Sequence, residues 1–297
     1  MTCAQNREPR RCQSRPGGGA TARSLWVGLS AVAVVAGSLF TFFAAAASAQ
    51  ESVFDEIKKR GELRVAGVTY RPLISRRPNG QYVGVDVDVM GRVAKDLGVK
   101  LTVVDAEWAT AVAGITTKKW DIVPATCITP KRLEVVDFTQ SYLKLGGVLV
   151  FKAGNPKGFK TVEDFNKPEV VFAVPPGSWA ESIAKVAVPK ATLKAFGQST
   201  SADLVVEVVA GRVDAVVLDA PIQTTVAQGA FPNQLGFVPS AMQPLDVLPC
   251  PVGYAYFKGD KKFGEYLDGY LARVKASGEL EGLFKTWLVP EHIKPSN

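Results

Sequence analysis

WDIVPATCITPKRLEVVDFTQSY, residues 120–142, joins a buried strand to a polar turn and decides the fold predicted for the rest of the chain. Ile122 and Val123 predict a short apolar strand, and Pro124 predicts its end, because proline cannot donate a hydrogen bond to a sheet ladder. Residues 126–132 are then predicted to form a loop with hydroxyl groups and a guanidinium at the mouth of the strand. A polar loop at a strand end is typical of the rim of a ligand site.

Arg132 is the most informative side chain of that loop. Its planar guanidinium matches a carboxylate through two parallel hydrogen bonds, so the residue suits the capture of a small anion. The alternative is that Arg132 caps a helix surface or pairs with Glu134, and the loop alone favours that more common role.

The pattern around this stretch alternates strands with helices in two successive halves of the chain. In the first half, a strand is predicted over 62–68 and the helix before Trp120 leads into the strand at Ile122. The second half echoes it, with a strand over 169–174 and a helix over 202–210 that leads into a strand at 212–217. Such alternation predicts an α/β fold with parallel sheets and right-handed crossovers in both halves.

Two apolar strands are expected to connect the halves. Residues 146–152 should cross into a second lobe, and residues 252–258 should return to the first. The expected division is residues 50–147 for the first part of lobe 1, 148–250 for lobe 2, and 251–297 for the return segment and closing helices of lobe 1.

The first 49 residues predict a secretory signal peptide. Five arginines precede an apolar run at 25–43, and the small residues Ala47, Ser48 and Ala49 supply a cleavage signal. Export to the periplasm is therefore expected. The alternative is a retained membrane anchor, because the run approaches the roughly 20 apolar residues that a spanning helix needs.

Charge argues against a nucleic-acid-binding protein. The 297 residues carry 35 Lys and Arg against 28 Asp and Glu, which gives a formal net charge of +7. Removing the five arginines and one glutamate of the leader leaves 30 basic and 27 acidic residues, so the mature part is only slightly basic. These basic residues are scattered singly, without the stripe or interleaved aromatic residues that would follow a phosphate backbone.

Two cysteines, Cys127 and Cys250, follow the leader. In an oxidising compartment they could form a disulfide, and two isolated buried thiols are the equal alternative. The chain has one histidine, His292, and no Cys-x-x-Cys, so neither a metal site nor a cofactor is expected.

The sequence resembles the extracellular solute-binding proteins of polar amino acid ABC transporters, bacterial family 3. The resemblance is carried by KWD at 119–121, ITPKR at 128–132, VDFT at 136–139 and SY at 141–142, and it extends from about Gly61 to about Trp287. It implies an α/β fold of the type II periplasmic binding protein class, with two Rossmann-like lobes joined by two crossover hinge strands.

The resemblance also implies which residues bind a ligand between the lobes. Arg132 would bind the α-carboxylate and Asp219 the α-amino group, although Asp219 also suits an N-cap before Pro221. The family usually has one more residue between the strand aspartate and the arginine, so either Thr126 or Cys127 takes the place of its ligand-binding Ser or Thr.

The remaining implied contacts are two aromatic residues and a turn. Tyr70 and Trp108 would flank the ligand side chain. The alternative for Tyr70 is a cap at the edge of the core with its hydroxyl in water, and the alternative for Trp108 is a buried core tryptophan. Gly177 and Ser178 open a helix whose free N–H groups suit an anion, and the family places a ligand contact there.

The function implied by the resemblance is capture of a small amino acid or related carboxylate by a monomer, for delivery to a membrane permease. Gly67 stands where receptors for basic amino acids tend to carry an acidic residue, so an apolar or uncharged ligand side chain is expected.

The alternative function is an enzyme, because cyclohexadienyl (arogenate/prephenate) dehydratases resemble the same family across both lobes. Their acid follows the second-lobe turn in a Gly-Thr-Asn-Glu run, whereas this chain has Gly177, Ser178, Trp179 and Ala180, with Glu181 one place later. A shift of one residue turns a helical side chain by about 100°, so no placed acid is expected and the binding function is favoured.

Overall fold

The computed structural model describes residues 51–197, 199–241 and 249–288. The predicted leader, residues 242–248 and His292 lie outside the described residues. The helices are α1 (Val53–Arg60), α2 (Val85–Leu97), α3 (Trp108–Thr116), α4 (Pro130–Leu133), α5 (Val162–Phe165), α6 (Trp179–Ala187), α7 (Ser201–Val209), α8 (Ile222–Ala230), α9 (Lys261–Ala276) and α10 (Glu279–Trp287).

The strands belong to one large mixed sheet, apart from the small antiparallel pair β2 and β3. They are β1 (Glu62–Gly67), β2 (Ser75–Arg76), β3 (Tyr82–Val83), β4 (Lys100–Asp105), β5 (Ile122–Cys127), β6 (Val136–Phe138), β7 (Leu143–Lys152), β8 (Val171–Val174), β9 (Thr192–Ala195), β10 (Ala215–Ala220), β11 (Leu235–Val238) and β12 (Pro249–Phe257).

The order of the large sheet is β4-β1-β5-β12-β7-β10-β8-β9, with β6 beside β12 and β11 beside β7. β1 is parallel to β4 and β5, and β8 is parallel to β9 and β10. β7 and β12 lie between these two parallel sets and are antiparallel to their neighbours. The α/β prediction, with parallel sets in both halves and two connecting strands, is confirmed.

Each parallel set has its own apolar core, and these cores define the two lobes. The first lobe packs Leu63, Ile122 and Phe263 beneath its helices. The second lobe packs Phe165 and Phe172 with the other buried residues between Leu149 and Val238. Parallel strands that are covered on both faces need such continuous apolar runs. No helix in the described ranges has the length and apolarity needed to span a bilayer.

The predicted end of the strand at Pro124 is wrong, because β5 continues to Cys127. Opposite β12, Val123 pairs with Ala255 and Thr126 pairs with Gly253, so β5 has an extra residue at this point. Ala125 has a φ of +52°. A β-bulge leaves residues without ladder bonds, and it therefore accommodates a proline inside a strand.

The predicted loop over 126–132 is also shorter than expected. Thr126 and Cys127 belong to β5, and Thr129 is the N-cap of the short helix α4, with its hydroxyl accepting from the Arg132 N–H. Pro130 fits the first helical turn because it lacks the N–H that this position leaves unused. The cap thereby fixes the position of Arg132 near the end of β5.

The connection between the lobes is held by polar and covalent links. Asp86 is fully buried at the start of α2, and its carboxylate accepts from the hydroxyls of Tyr142, at 2.7 Å, and Tyr254, at 3.0 Å. Cys127 and Cys250 form a disulfide, with their Cα atoms 5.0 Å apart. Of the two alternatives for the cysteines, the structure therefore has the bridge, which joins the end of β5 to the start of β12.

Candidate functional site

A small cavity of about 50 Å³ lies where the ends of β5 and β10 meet the beginnings of α3 and α6. Its position follows from the topology, because the carboxyl ends of parallel strands meet at one edge of each set. Six of the predicted site residues line it: Tyr70, Trp108, Cys127, Arg132, Ser178 and Asp219.

Arg132 reaches the cavity from α4. Its Nη1 donates to the carbonyl of Cys127 at 2.8 Å, its Nη2 donates to the carbonyl of Gly177 at 3.3 Å, and the guanidinium lies 5.7 Å from the ring centre of Trp108. Burial lowers the pKa of Arg132 to about 10. Within the described residues the guanidinium makes no ion pair, and the expected alternative partner Glu134 does not contact it. A ligand carboxylate would supply the missing negative charge.

Asp219 lies at the end of β10 and is only 4% exposed. Its carboxylate accepts from the hydroxyl of Tyr70 and from the N–H of Gln223, at 3.3 Å, in the first turn of α8. Burial raises the pKa of Asp219 to about 6, against the opposing effect of these hydrogen bonds. In the part of the chain that the structure describes, no cation pairs with it. The cavity therefore has an unpaired cation and an unpaired carboxylate in its walls.

Tyr70 and Trp108 form an aromatic wall of the cavity. Their rings meet edge to face, with centres 6.2 Å apart. Both side chains are partly buried, as expected for rings that bound a site and unlike rings enclosed in a core. Trp108 is the first residue of α3, which fixes it at a strand-to-helix junction.

Ser178 and Gly177 form the start of α6. The hydroxyl of Ser178 accepts from the N–H of Glu181 at 3.1 Å as the N-cap, and the residue is 5% exposed. Gly177 has a φ of +72°, and a Cβ there would lie 2.9 Å from the Cα of Ala109 in the first lobe. Gly177 does not line the cavity, but its carbonyl accepts from Arg132 across the two lobes.

Thr126 is not brought to the cavity. Its side chain is fully buried, and its hydroxyl donates to the carbonyl of Pro124 at 2.8 Å. Cys127 lines the cavity instead and carries the disulfide. Between these two residues, Cys127 is the one in contact with the cavity.

Residues that the sequence analysis did not single out also reach this region. Asp105 and Glu107 line a larger groove beside the cavity. Asp105 is the last residue of β4 and Glu107 follows the strand closely, and a position at a strand end is the same signal that selects Tyr70 after β1.

Glu181, the candidate acid of the enzyme alternative, folds back onto its own helix. Its carboxylate accepts from the Gly177 N–H at 2.7 Å and from the Lys185 ammonium at 2.6 Å. The hydrogen bond from Lys185, followed by that from Gly177, lowers the pKa of Glu181 despite partial burial. An ionised, internally paired carboxylate is poorly suited to protonate a leaving group.

Known proteins are similar to this chain over most of its length. The model of the bacterial extracellular solute-binding proteins, family 3, matches residues 63–290. A cyclohexadienyl dehydratase from Pseudomonas aeruginosa is 30% identical over 247 residues, which cover 82% of this chain and 89% of the relative.

Two solved structures are similar over about four fifths of this chain. An ancestral amino acid-binding protein, a precursor of cyclohexadienyl dehydratase, is 35% identical with a TM-score of 0.70, covering 80% of this chain and 100% of its own. A binding component of an ABC transporter from Wolinella succinogenes, in complex with lysine, is 32% identical with a TM-score of 0.68, covering 77% of this chain and 97% of its own. These similarities confirm the predicted type II periplasmic binding protein fold.

Proposed function

Because this chain belongs to the bacterial extracellular solute-binding proteins, family 3, we propose that it captures an α-amino acid between its two lobes for the permease of an ABC transporter. In this proposal Arg132 binds the α-carboxylate and Asp219 the α-ammonium group. Tyr70 and Trp108 flank the side chain, and Cys127 and Ser178 complete the site, with the Gly177 carbonyl accepting from Arg132 beside it.

The observation that carries the proposal is the pair of opposite, unmatched charges on one cavity. Arg132 and Asp219 line the same cavity, yet neither forms an ion pair within the described residues. A buried charge without a partner is costly, and two opposite ones in one site fit a ligand that carries both charges. An amino acid is such a ligand.

Closure of the two lobes is the proposed working step. Arg132 belongs to the first lobe and Asp219 to the second, so a zwitterion that contacts both binds the closed arrangement better than an open one. Only such a difference in affinity can shift the equilibrium toward closure, and the closed surface would be the form that the permease recognises.

The proposal includes the cellular setting. Cleavage near Gln50 would release a periplasmic monomer with lobe boundaries at 50–147, 148–250 and 251–297. Mass spectrometry of the protein isolated from its native envelope is expected to find a chain that begins near Gln50. A mass that retains residues 25–43 would favour the anchor.

The experiment that tests the function is a thermal-shift screen of the mature protein with the common amino acids and with related acids that lack the amine. A ligand that binds only the folded state raises the melting temperature by mass action. We expect at least one α-amino acid to do so, with confirmation by calorimetry. Stabilisation by deaminated acids alone would contradict the role of Asp219.

A second candidate function is dehydration of a cyclohexadienyl substrate, favoured by the similarity to the Pseudomonas aeruginosa enzyme. The internal pairing of Glu181 with Lys185 supports binding over catalysis. Incubation of the mature protein with prephenate or arogenate is therefore expected to yield no product. Product formation that is lost in Glu181→Gln would establish the enzyme instead.

A further inference from the structure

A groove of about 540 Å³ adjoins the small cavity and lies between the end of β4 and the start of α7. Trp108 and Pro175 line both spaces. A ligand whose α-groups contact Arg132 and Asp219 can therefore extend its side chain past Trp108 into the groove. Its volume is within the roughly 300–1,000 Å³ of small-molecule sites.

One corner of the groove already binds a guanidinium that the chain itself supplies. The Nη2 of Arg76 lies 3.1 Å from a carboxylate oxygen of Asp105, and its guanidinium lies 5.8 Å from the ring centre of Tyr82. The hydroxyl of Tyr82 donates to the other oxygen of Asp105 and fixes that carboxylate. A fixed carboxylate beside an aromatic face is the arrangement that attracts a cation.

Glu107 provides a second carboxylate in the same groove. It is partly buried, and within the described ranges it forms no ion pair. Arg76 balances one of the two acids, so the charged lining has one negative charge in excess. The excess carboxylate favours a cationic group in the groove and disfavours an anionic one. The rings of Trp108 and Phe196 already face Arg132, at 5.7 Å, and the Lys194 ammonium, at 5.2 Å, so the preference comes from the carboxylates.

The absence of an acidic side chain at Gly67 has a steric reason. A Cβ at Gly67 would lie 2.6 Å from a ring carbon of Tyr82, so this ring fills the space that an acidic side chain would need. Asp105 and Glu107 approach from the segment between β4 and α3 instead. The negative charge that Gly67 lacks is thus present on another element.

We propose that this groove is the side-chain subsite and that it selects α-amino acids with a long side chain ending in an ammonium or guanidinium group. Glu107 and Asp105 are its specificity-determining residues, and Arg76 competes with the ligand cation for Asp105. This inference rests on the proposed function, because the α-groups must first be held by Arg132 and Asp219.

The test is calorimetry of the mature protein with arginine, lysine, glutamine and glutamate. Wild type is expected to bind arginine or lysine most tightly. Glu107→Gln should weaken binding of the cationic ligand about tenfold and leave glutamine within about twofold, since only the cation loses a charge partner. Glu107 is the N-cap of α3 without a side-chain capping bond, so glutamine is compatible with the fold there.

Arg76→Gln should change the affinity for arginine in the opposite direction. It removes the competitor for Asp105, so arginine should bind several-fold more tightly than to wild type. Glu265→Gln is the matched control, because it removes an exposed carboxylate on α9 away from the groove. It should change the affinity for neither arginine nor glutamine.

Equal binding of arginine by wild type and Glu107→Gln would overturn the subsite, as would tighter binding of glutamate than of arginine. Arg132→Ala separates this failure from that of the proposed function. If the α-group site is right and the subsite wrong, Arg132→Ala still strongly weakens binding of whichever amino acid binds. If no amino acid binds wild type, both inferences fail together.

Discussion

Arg132 and Asp219 contribute to one site from two lobes, so the effects of their substitutions on ligand affinity should be coupled. Arg132→Ala and Asp219→Ala should each weaken amino acid binding by about 2–5 kcal/mol, because each leaves a desolvated ligand charge unpaired. The double variant should lose less than the sum, since both residues act through one ligand. Calorimetry measures all three losses.

Arg212→Ala is a suitable control, because Arg212 is an exposed arginine of the second lobe that pairs with Glu207. It should bind as wild type does. If Asp219→Ala also bound as tightly as wild type, the amino-group role would be wrong, and the site would have to be built around Arg132 and the aromatic residues.

The raised pKa of Asp219 predicts a pH dependence with a definite sign. In the proposed function the ionised carboxylate of Asp219 binds the ammonium group of the ligand, and burial raises the pKa of this carboxyl to about 6. Lowering the pH below that value protonates Asp219, so affinity should fall about tenfold per pH unit in the acid range and stay level from pH 7 to 8. Titrations between pH 5 and 8 would measure it. Asp219→Asn should bind weakly at every pH, and an unchanged slope in that variant would assign the titration elsewhere.

Among the elements, β5 lines the cavity with Ala125 and Cys127 and is covalently linked to β12. The Cys127–Cys250 disulfide closes a loop with a sequence separation of 123, and such a bridge stabilises the fold chiefly by restricting the unfolded chain. The double variant Cys127→Ala with Cys250→Ala should lower the free energy of unfolding by about 2–4 kcal/mol in denaturant titrations. Thiol titration of the unfolded, unreduced protein should find no free thiol, and two free thiols would exclude the bridge.

The same elements show what the sequence could and could not predict. The long strands and helices follow from apolar periodicity and turn residues, so the ends of β1 and α7 lie within one residue of the predicted ranges 62–68 and 202–210. The extension of β5 past Pro124 depends on a bulge opposite β12, a pairing between residues far apart in the chain. No local pattern contains that information.

The residues of the site also fall into those that the sequence could predict and those that it could not. The motif around Arg132 and the strand ends led to six side chains that the fold does bring to one cavity. Asp105 and Glu107 could not be selected from the sequence, because the position of Gly67 alone does not show from which element a carboxylate reaches the groove. The space beside Gly67 is filled by the ring of Tyr82, which belongs to the small β2–β3 pair. The contact between these two residues cannot be predicted from the local sequence.

For the whole molecule, the approach of the two lobes is limited by Gly177. A Cβ at this residue would lie 2.9 Å from the Cα of Ala109 and 3.1 Å from the carbonyl oxygen of Trp108, both in the first lobe. Gly177→Ala should therefore disfavour closure and weaken binding roughly tenfold, because the competent form becomes less populated. Small-angle scattering with saturating ligand should give a larger radius of gyration than for wild type.

Gly229→Ala is the matched control, because Gly229 lies in α8 with no atom within 4 Å of the added Cβ. It should close and bind as wild type does. The φ of +72° at Gly177 makes alanine strained in open and closed forms alike, so a loss of thermal stability without a change in affinity or scattering would count against the clash.

The pairing of β7 with β12 has a consequence for engineering. Gly146 and Pro249 are direct partners across these strands, so the chain leaves the first lobe and returns to it at one place. The intervening segment is therefore a cassette with adjacent ends, which could be exchanged for the corresponding cassette of a relative without rerouting the host lobe. A chimera of this kind would keep the proposed carboxylate contact of Arg132 and take the contact to the ligand's amine from the donor. The carboxylate-binding and amine-binding parts of the site could therefore evolve separately.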